Sequence, residues 1–305
     1  MEKFNKRVYG IVGIKSKMAN WNSDFSGSPR TASDGTIFGS DKAFKYPIKK
    51  MWEANNKDVL YVKSYKNKDD DIQARTLSER FEQLFGENVK NLKDKRKIVK
   101  YLFSAIDVLN FGATFAEENN NISITGAVQV GQGFNKYEDS STEIIDILSP
   151  FTNKSTDKNT SIGKKIVSNE AHYFYPFSVN PENYNIYTNE IDGLEGYTKE
   201  AYDAFKEGCL VAATAYNTNS KAGCENELAI FVECKESSKL YLANLDEYIN
   251  FKKGEEKDII DLSELMQILN KDEVKKEIEK VEIYYNPYTT KLEGDLAIAD
   301  VKDLF

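Results

Sequence analysis

The chain has 305 residues, 40% apolar and 12% aromatic, and a formal net charge of −8. That length and apolar content allow one large or two ordinary domains and exclude a disordered chain, while no run approaches the roughly 18 apolar residues of a membrane span. A single histidine and three scattered cysteines (Cys209, Cys224, Cys234) without a C-x-x-C argue against a zinc site or a disulfide framework. Reduced thiols and the lack of a signal-like N-terminus point to a cytoplasmic protein.

Residues 7–16, RVYGIVGIKS, are apolar and β-branched and predict a buried central strand. A polar, glycine-punctuated loop over residues 17–40 follows, with Trp21, Phe25 and Arg30 among Lys, Asn and Ser. Ordered loops of that length tend to be functional, and this composition favours a binding surface over a linker. The next stretch, residues 34–52, reads DGTIFGSDKAFKYPIKKMW. At about 100° per residue, Lys42, Lys45 and Lys49 fall within an arc of roughly 60°, and Phe44, Ile48 and Met51 lie nearly opposite. Surface helices ordinarily mix both charge signs, but this face offers only cations, with Asp41 back at its start. Pro47 requires the helix to begin near Tyr46 or to bend there.

Residues 59–65, VLYVKSY, alternate like a strand with one wet face, and NKDDD is a charged turn. Residues 75–86 predict a helix stopped by Gly86. A basic run leads into apolar residues 101–115, and Asn119–Asn121 predicts a hairpin turn that ends in the glycine-rich GAVQVGQG, where backbone could approach a ligand. Residues 139–170 form a polar excursion, either a projecting hairpin or a disordered loop. An aromatic strand (172–187), a helix from Tyr197 toward Ala215 and a buried strand (227–235) follow. The acidic remainder, 236–305, holds helices at 262–269 and 273–280 and a strand at 281–285. This order is compatible with an α+β, ferredoxin-like or RRM-like β-α-β-β-α-β core carrying insertions.

Charge is unevenly spread. Residues 1–52 hold ten Lys and Arg against four acids, a net +6, so the other 253 residues must carry −14 to reach −8. Such a chain suits one polyanion-binding face on an acidic body. Lysines and Arg30 can neutralise phosphates without reading bases, and exposed aromatic groups can stack on them. Catalytic signatures are weak. Gly39-Ser40-Asp41-Lys42 breaks the phosphate-loop order, Gly131-Gln132-Gly133 lacks a third glycine in register, and His172 has no G-x-S-x-G serine. Asp24 and Asp34 could hold a metal beside a phosphodiester, but the favoured reading is structural, Asp34 initiating the Asp34-Gly35 turn and Asp24 capping a local backbone N–H.

RVYGIVGIKS with the following MANWN, SDGTIFGSDKAFKYPIKKMW, NFGATFA with ISITGAVQVGQG, and SIGKKIV together resemble the backbone subunit of type I CRISPR Cascade complexes. More narrowly they resemble the Cas seven family, Csh-two subtype, of type I-B systems. The resemblance implies one RRM-like palm with a helical finger insertion (about 66–118), a β-hairpin thumb (about 139–170) and an acidic C-terminal extension (about 236–305) packed on the palm. It implies a non-catalytic, cofactor-free subunit that binds CRISPR RNA, joins other copies of itself head to tail and other Cascade subunits, and meets target DNA through the guide. Carried over by position, Lys17, Asn20, Arg30, Ser40, Lys42, Lys45 and Lys49 would contact the guide. Ile162, Lys164 and Lys165 would lie on the thumb, and Gln129 and Gln132 near the guide or target. The competing expectation, from type III relatives, is RNA cleavage by Asp34 or Asp24.

Overall fold

The computed structural model describes residues 2–152 and 159–304, with side chains except those of residues 150–152 and 159–162. β1 (Val8–Ala19) is its central strand. Val8, Val12 and Ile14 enter one core and Tyr9 and Ile11 another. Burial on both faces is why the strand reads as an unbroken apolar run rather than an alternating one. It extends three residues beyond the predicted end, so Lys17 lies on the strand. The segment after it is folded on two single bridges, Ser23 with Pro29 and Thr31 with Ile37, before β2 (Phe38–Gly39).

α1 (Asp41–Ala54) buries Phe44, Pro47, Ile48 and Trp52, with Met51 half-buried beside them. It begins at Asp41 and not near Tyr46, because the Ser40 hydroxyl accepts the Ala43 amide (3.3 Å) and caps it. Pro47 stands inside the helix, forgoing one backbone bond.

The predicted strand at 59–65 is absent. Val59, Leu60 and Val62 are buried, but the Leu60 and Tyr61 amides donate to the buried Asp107 carboxylate (2.8 and 2.9 Å) instead of a neighbouring strand. A hairpin of β3 (Tyr65–Lys68) and β4 (Asp71–Ala74) follows. α2 (Leu77–Phe85) has a Thr76–Glu79 capping box and ends at Gly86 in the left-handed region. α3 (Lys95–Ser104) and α4 (Ile106–Phe111) lead to the expected hairpin, β5 (Gly112–Glu117) with β6 (Asn120–Thr125).

β7 (Val128–Val130) and β8 (Gly133–Asn135) pair with the inner part of β10 (Asn159–Val179). The outer part pairs with β9 (Thr142–Thr152), whose residues 142–148 are exposed on both sides. The polar excursion is thus a projecting hairpin whose second strand continues unbroken into the sheet. The aromatic strand predicted from His172 is the inner half of that same strand. It ends at Val179, before α5 (Asn185–Glu190).

α6 (Lys199–Ala215) packs against α1 and against β11 (Cys224–Cys234). The C-terminal segment adds β12 (Asn250–Lys252), β13 (Asp258–Asp261), α7 (Ser263–Leu269), α8 (Asp272–Lys275), β14 (Ile278–Tyr285), β15 (Thr290–Glu293) and β16 (Ala299–Asp303). The helix predicted to reach Lys280 stops at Lys275, because residues 278–280 already belong to β14.

The main sheet runs β16-β14-β11-β1-β10-β8-β2. α1 and α6 cover one face, through Phe44, Ile48, Ala201 and Phe205. Leu245, Ile260, Leu265 and Met266 of the C-terminal segment cover the other. The acidic C-terminal part is therefore a structural layer that also supplies two strands of the sheet.

Candidate nucleic-acid interface

Lys42, Lys45 and Lys49 line a single cavity of about 350 Å³ beside α1, closed opposite by Tyr61 and Phe111. The spacing along the helix did bring them together. The expectation that this face offers only cations is corrected. Lys45 Nζ pairs with Asp41 (3.0 Å) and lies 5.2 Å from the centre of the Phe111 ring. Lys49 Nζ pairs with the buried Asp107 (3.1 Å) and lies 5.5 Å from the centre of the Tyr61 ring. The two lysines are only 17% and 16% exposed. Lys42 is exposed, and no acidic side chain among the described residues pairs with it.

Lys42 also lines a second, adjoining cavity of about 510 Å³, between the N-terminal half of α1, the loop after β1 and the turn between α6 and β11. Its cations are Arg30, Lys42 and Lys221, and no Asp or Glu lines it. Tyr46 and Tyr216 supply aromatic surface, meeting edge to face at 5.7 Å, over the fully buried Trp21. Sequence reading missed Lys221. Its only signal is a lone cation in the otherwise uncharged turn NTNSKAG.

The other predicted contacts divide. Lys17 is exposed near the end of β1. Asn20 is a correction: it is buried, and its Nδ2 donates to the carbonyls of Gly27 and Ile166 (both 3.0 Å), tying the loop to β10. Its spacing in a polar loop gave no hint of that inward turn. The Ser40 hydroxyl is the α1 cap, and Gln132 Oε1 accepts the Asp41 amide (3.3 Å), so both sit at the helix start. Gln129 lies apart, bonded to the Gly126 carbonyl (2.8 Å) and lining a different cavity with Tyr9 and Leu242. Lys164 is exposed and Lys165 half-buried on the projecting hairpin, opposite Asp146 and Ile145. The Ile162 side chain lies outside the described residues.

The last glycine of GAVQVGQG faces a buried tyrosine of the core. A Cβ on Gly133 would lie 2.4 Å from the Tyr175 ring, and one on Gly39, its partner in β2, 1.8 Å from the Tyr175 hydroxyl. Both glycines make room for Tyr175, which accepts the Trp21 Nε1–H (2.6 Å) in the core.

The carboxylates considered for metal binding are engaged in turns. Asp24 Oδ1 accepts the Ser26 hydroxyl (2.7 Å) and the Ser26 and Ser28 amides (2.8 and 3.0 Å), and Asp34 Oδ1 accepts the Thr36 amide (2.9 Å). These bonds hold both carboxyls below the usual range.

His172 is fully buried on β10, between Glu227 (2.7 Å) and Glu170 (3.3 Å), and stacks on Phe251 at 3.8 Å. Burial alone would push the imidazole down, but Glu227 and Glu170 carry it up to about 9. Glu170 is held at about 2 by its bond to His172 against burial, with help from Lys253. Glu170, His172 and Asp258 bring potential metal-ligand atoms within 4.8 Å of one another. Yet Lys253 already bridges Glu170 (2.7 Å) and Asp258 (3.0 Å), and Lys15 reaches Asp258 (3.2 Å). Three carboxylates thus face three cations, and the cluster reads as a closed ionic joint between β10 and the C-terminal layer.

A family model described as CRISPR-associated protein Cas7 matches residues 6–284. The fold is similar to a chain of a solved structure described as "CRISPR RNA-guided surveillance complex, pre-nicking". The TM-score is 0.59 at 14% identity, over 97% of this chain and 96% of that one. A chain of a second, "CRISPR RNA-guided surveillance complex", aligns with a TM-score of 0.49 at 15% identity, over 96% and 94%. No curated protein matches the sequence significantly. Among the described residues no helix is long and apolar enough to cross a membrane.

Proposed function

Because the chain belongs to the CRISPR-associated Cas7 family, we propose that it is a non-catalytic backbone subunit of a type I Cascade complex, of the Csh-two kind of type I-B. It binds CRISPR RNA in the cytoplasm, adds copies of itself head to tail along the guide, contacts the other subunits and meets target DNA through the guide. The observation that carries this reading is the pair of adjoining cavities along α1, where Arg30, Lys42, Lys45, Lys49 and Lys221 gather beside aromatic rings. Phosphate neutralisation with base stacking needs those groups and no base-specific contact.

The sheet order β11-β1-β10-β8, with α1 and α6 on one face, supports an RRM-like palm. The β9–β10 hairpin supports the thumb, and residues 66–118 the finger. Small RRM domains stack bases on their open sheet face. Here the C-terminal segment covers that face, which directs a strand to the helical side. An indifferent protein suits a complex in which the guide reads sequence.

Filter binding of single-stranded RNA tests the reading. Lys42→Glu should weaken binding and flatten its salt dependence. Unchanged affinity, or a wild-type chain that takes up no RNA, would count against it. Periodic cleavage of complementary RNA with magnesium by the assembled complex, lost in Asp34→Ala or Asp24→Ala, would replace it with the nuclease reading.

A further inference from the structure

We infer that Lys221, with Arg30 and Lys42, forms a pocket for one internal phosphodiester of a bound RNA strand. The inference rests on the reading just proposed and assigns the grip to residues other than the paired lysines of α1.

Lys221 sits in the turn before β11, which is docked on the end of β1. Lys17 N donates to the Gly223 carbonyl (2.8 Å) and Asn20 N to the Ser220 carbonyl (2.9 Å). Its ammonium is half-buried. Two of its three N–H bonds go to the carbonyls of Asn20 (2.7 Å) and Trp21. Its Nζ also lies 5.5 Å from the centre of the Trp21 ring.

Among the described residues no carboxylate pairs with it, and burial pulls its pKa below the usual lysine value. A charge removed from water without a counterion is unfavourable, and a fold ordinarily supplies a partner. Elsewhere this chain does so: Lys49 has Asp107, Lys206 has Glu282 and Lys253 has Glu170. The cavity beside Lys221 departs from that rule at Lys221 and at Arg30, whose Nε is buried without a hydrogen-bond partner. The exposed Lys42 adds a third cation, and neither it nor Arg30 has a carboxylate within ion-pair distance among the described residues. Asp24 feels the Arg30 charge only at longer range. Three cations converging on about 510 Å³ without an acid leave the counter-charge to a ligand. An oxyanion entering here would meet the third Lys221 N–H, the Arg30 guanidinium and Lys42. Tyr46 beside them offers a ring face to the attached nucleotide.

The α1 cavity cannot substitute for this site at equal strength. There a phosphate would have to compete with Asp41 for Lys45 and with Asp107 for Lys49.

The test is a salt titration of binding to a fluorescein-labelled oligo-uridine RNA bearing a 5′-hydroxyl, so that the probe holds only internal phosphodiesters. Lys221→Gln should weaken binding about tenfold, as loss of a charge-assisted bond does, and make the slope of log K against log salt shallower by about 0.7. Lys221→Arg should restore both. Lys291→Gln, on the layer covering the opposite sheet face, should change neither. Because Lys221 also holds two carbonyls, Arg30→Gln provides a second variant, whose side chain bonds to no described residue, and the same two effects are expected. Wild-type affinity and slope in Arg30→Gln, or in a Lys221→Gln chain with unaltered thermal unfolding, would overturn the pocket while leaving RNA binding by the chain intact. A wild-type chain that fails to bind would remove the underlying reading as well.

Discussion

Lys49 Nζ lies 3.1 Å from Oδ2 of Asp107, a carboxylate with no exposed surface that also accepts the amides of Leu60 and Tyr61. The pair fastens α1 to α4 and to the irregular segment before β3. It makes Lys49 a folding residue first.

Lys49→Glu should therefore destabilise the chain by about 3–5 kcal/mol, because it leaves a buried charge without its cation and adds a repulsive neighbour. Lys42→Glu, at an exposed position, should shift the urea midpoint little. Equal midpoints for Lys49→Glu and wild type would show that Asp107 does not depend on this lysine. Lost RNA binding in Lys49→Glu alone would say nothing about phosphate contact.

The His172 joint makes a pH prediction. Its imidazole titrates at about 9 in the fold against an ordinary 6.5. Protonated His172 stabilises the fold fully below about pH 6.5, and that contribution is lost as pH rises through about 9. Glu170, depressed to about 2 from an ordinary 4.5, stabilises above the ordinary value and ceases to as pH falls toward 2. The melting temperature should decline between pH 6.5 and 9 in wild type and be flatter in His172→Gln. Parallel profiles for the two chains would contradict the assignment.

Gly39→Ala would bring a Cβ within 1.8 Å of the Tyr175 hydroxyl and 2.7 Å of Trp21 Cδ1. The expected loss is about 1–3 kcal/mol from overpacking. Tyr175→Phe, which only leaves the buried Trp21 N–H unpaired, should cost about 1–3 kcal/mol by a different route. In the double variant Gly39→Ala with Tyr175→Phe the removed hydroxyl should relieve part of the clash, so the two losses should fall short of adding in chemical denaturation.

Ile144 and Leu148 on β9 are 60% and 69% exposed. Aliphatic groups at that exposure contribute little to the monomer, so Ile144→Ser with Leu148→Ser should leave thermal unfolding unchanged. If copies line up along a guide through this hairpin, the same chain should load fewer copies on a long RNA, as mass photometry would count. Full loading would exclude the hairpin from that contact.

What could be read from the chain was whatever depends on near neighbours. The glycine stop of α2, the apolar stripe of α6 and the two-faced burial of β1 all leave local patterns. The face shared by Lys42, Lys45 and Lys49 was legible for the same reason. Their partners were not, because Asp107 is distant in the chain and nothing local marks it as buried. The same carboxylate misled the reading of residues 59–65: Val59 and Leu60 are buried side by side rather than alternating, and the Leu60 and Tyr61 amides bond to a side chain where a ladder was expected. Asn20 and Lys221 illustrate the converse error. Each is a polar residue in a polar turn, and only the docking of that turn on β1 decides which faces inward.

β10 carries a mechanical consequence. A strand of 21 residues, at roughly 3.3 Å each, spans at most about 70 Å of continuous backbone. One end stands out in solvent beside β9 and the other is clamped between β1 and the inner strands. Because one strand joins the two, a load applied at the outer end is passed along its backbone toward His172. Whatever seats itself against the hairpin pulls directly on the joint that holds the C-terminal layer to the sheet.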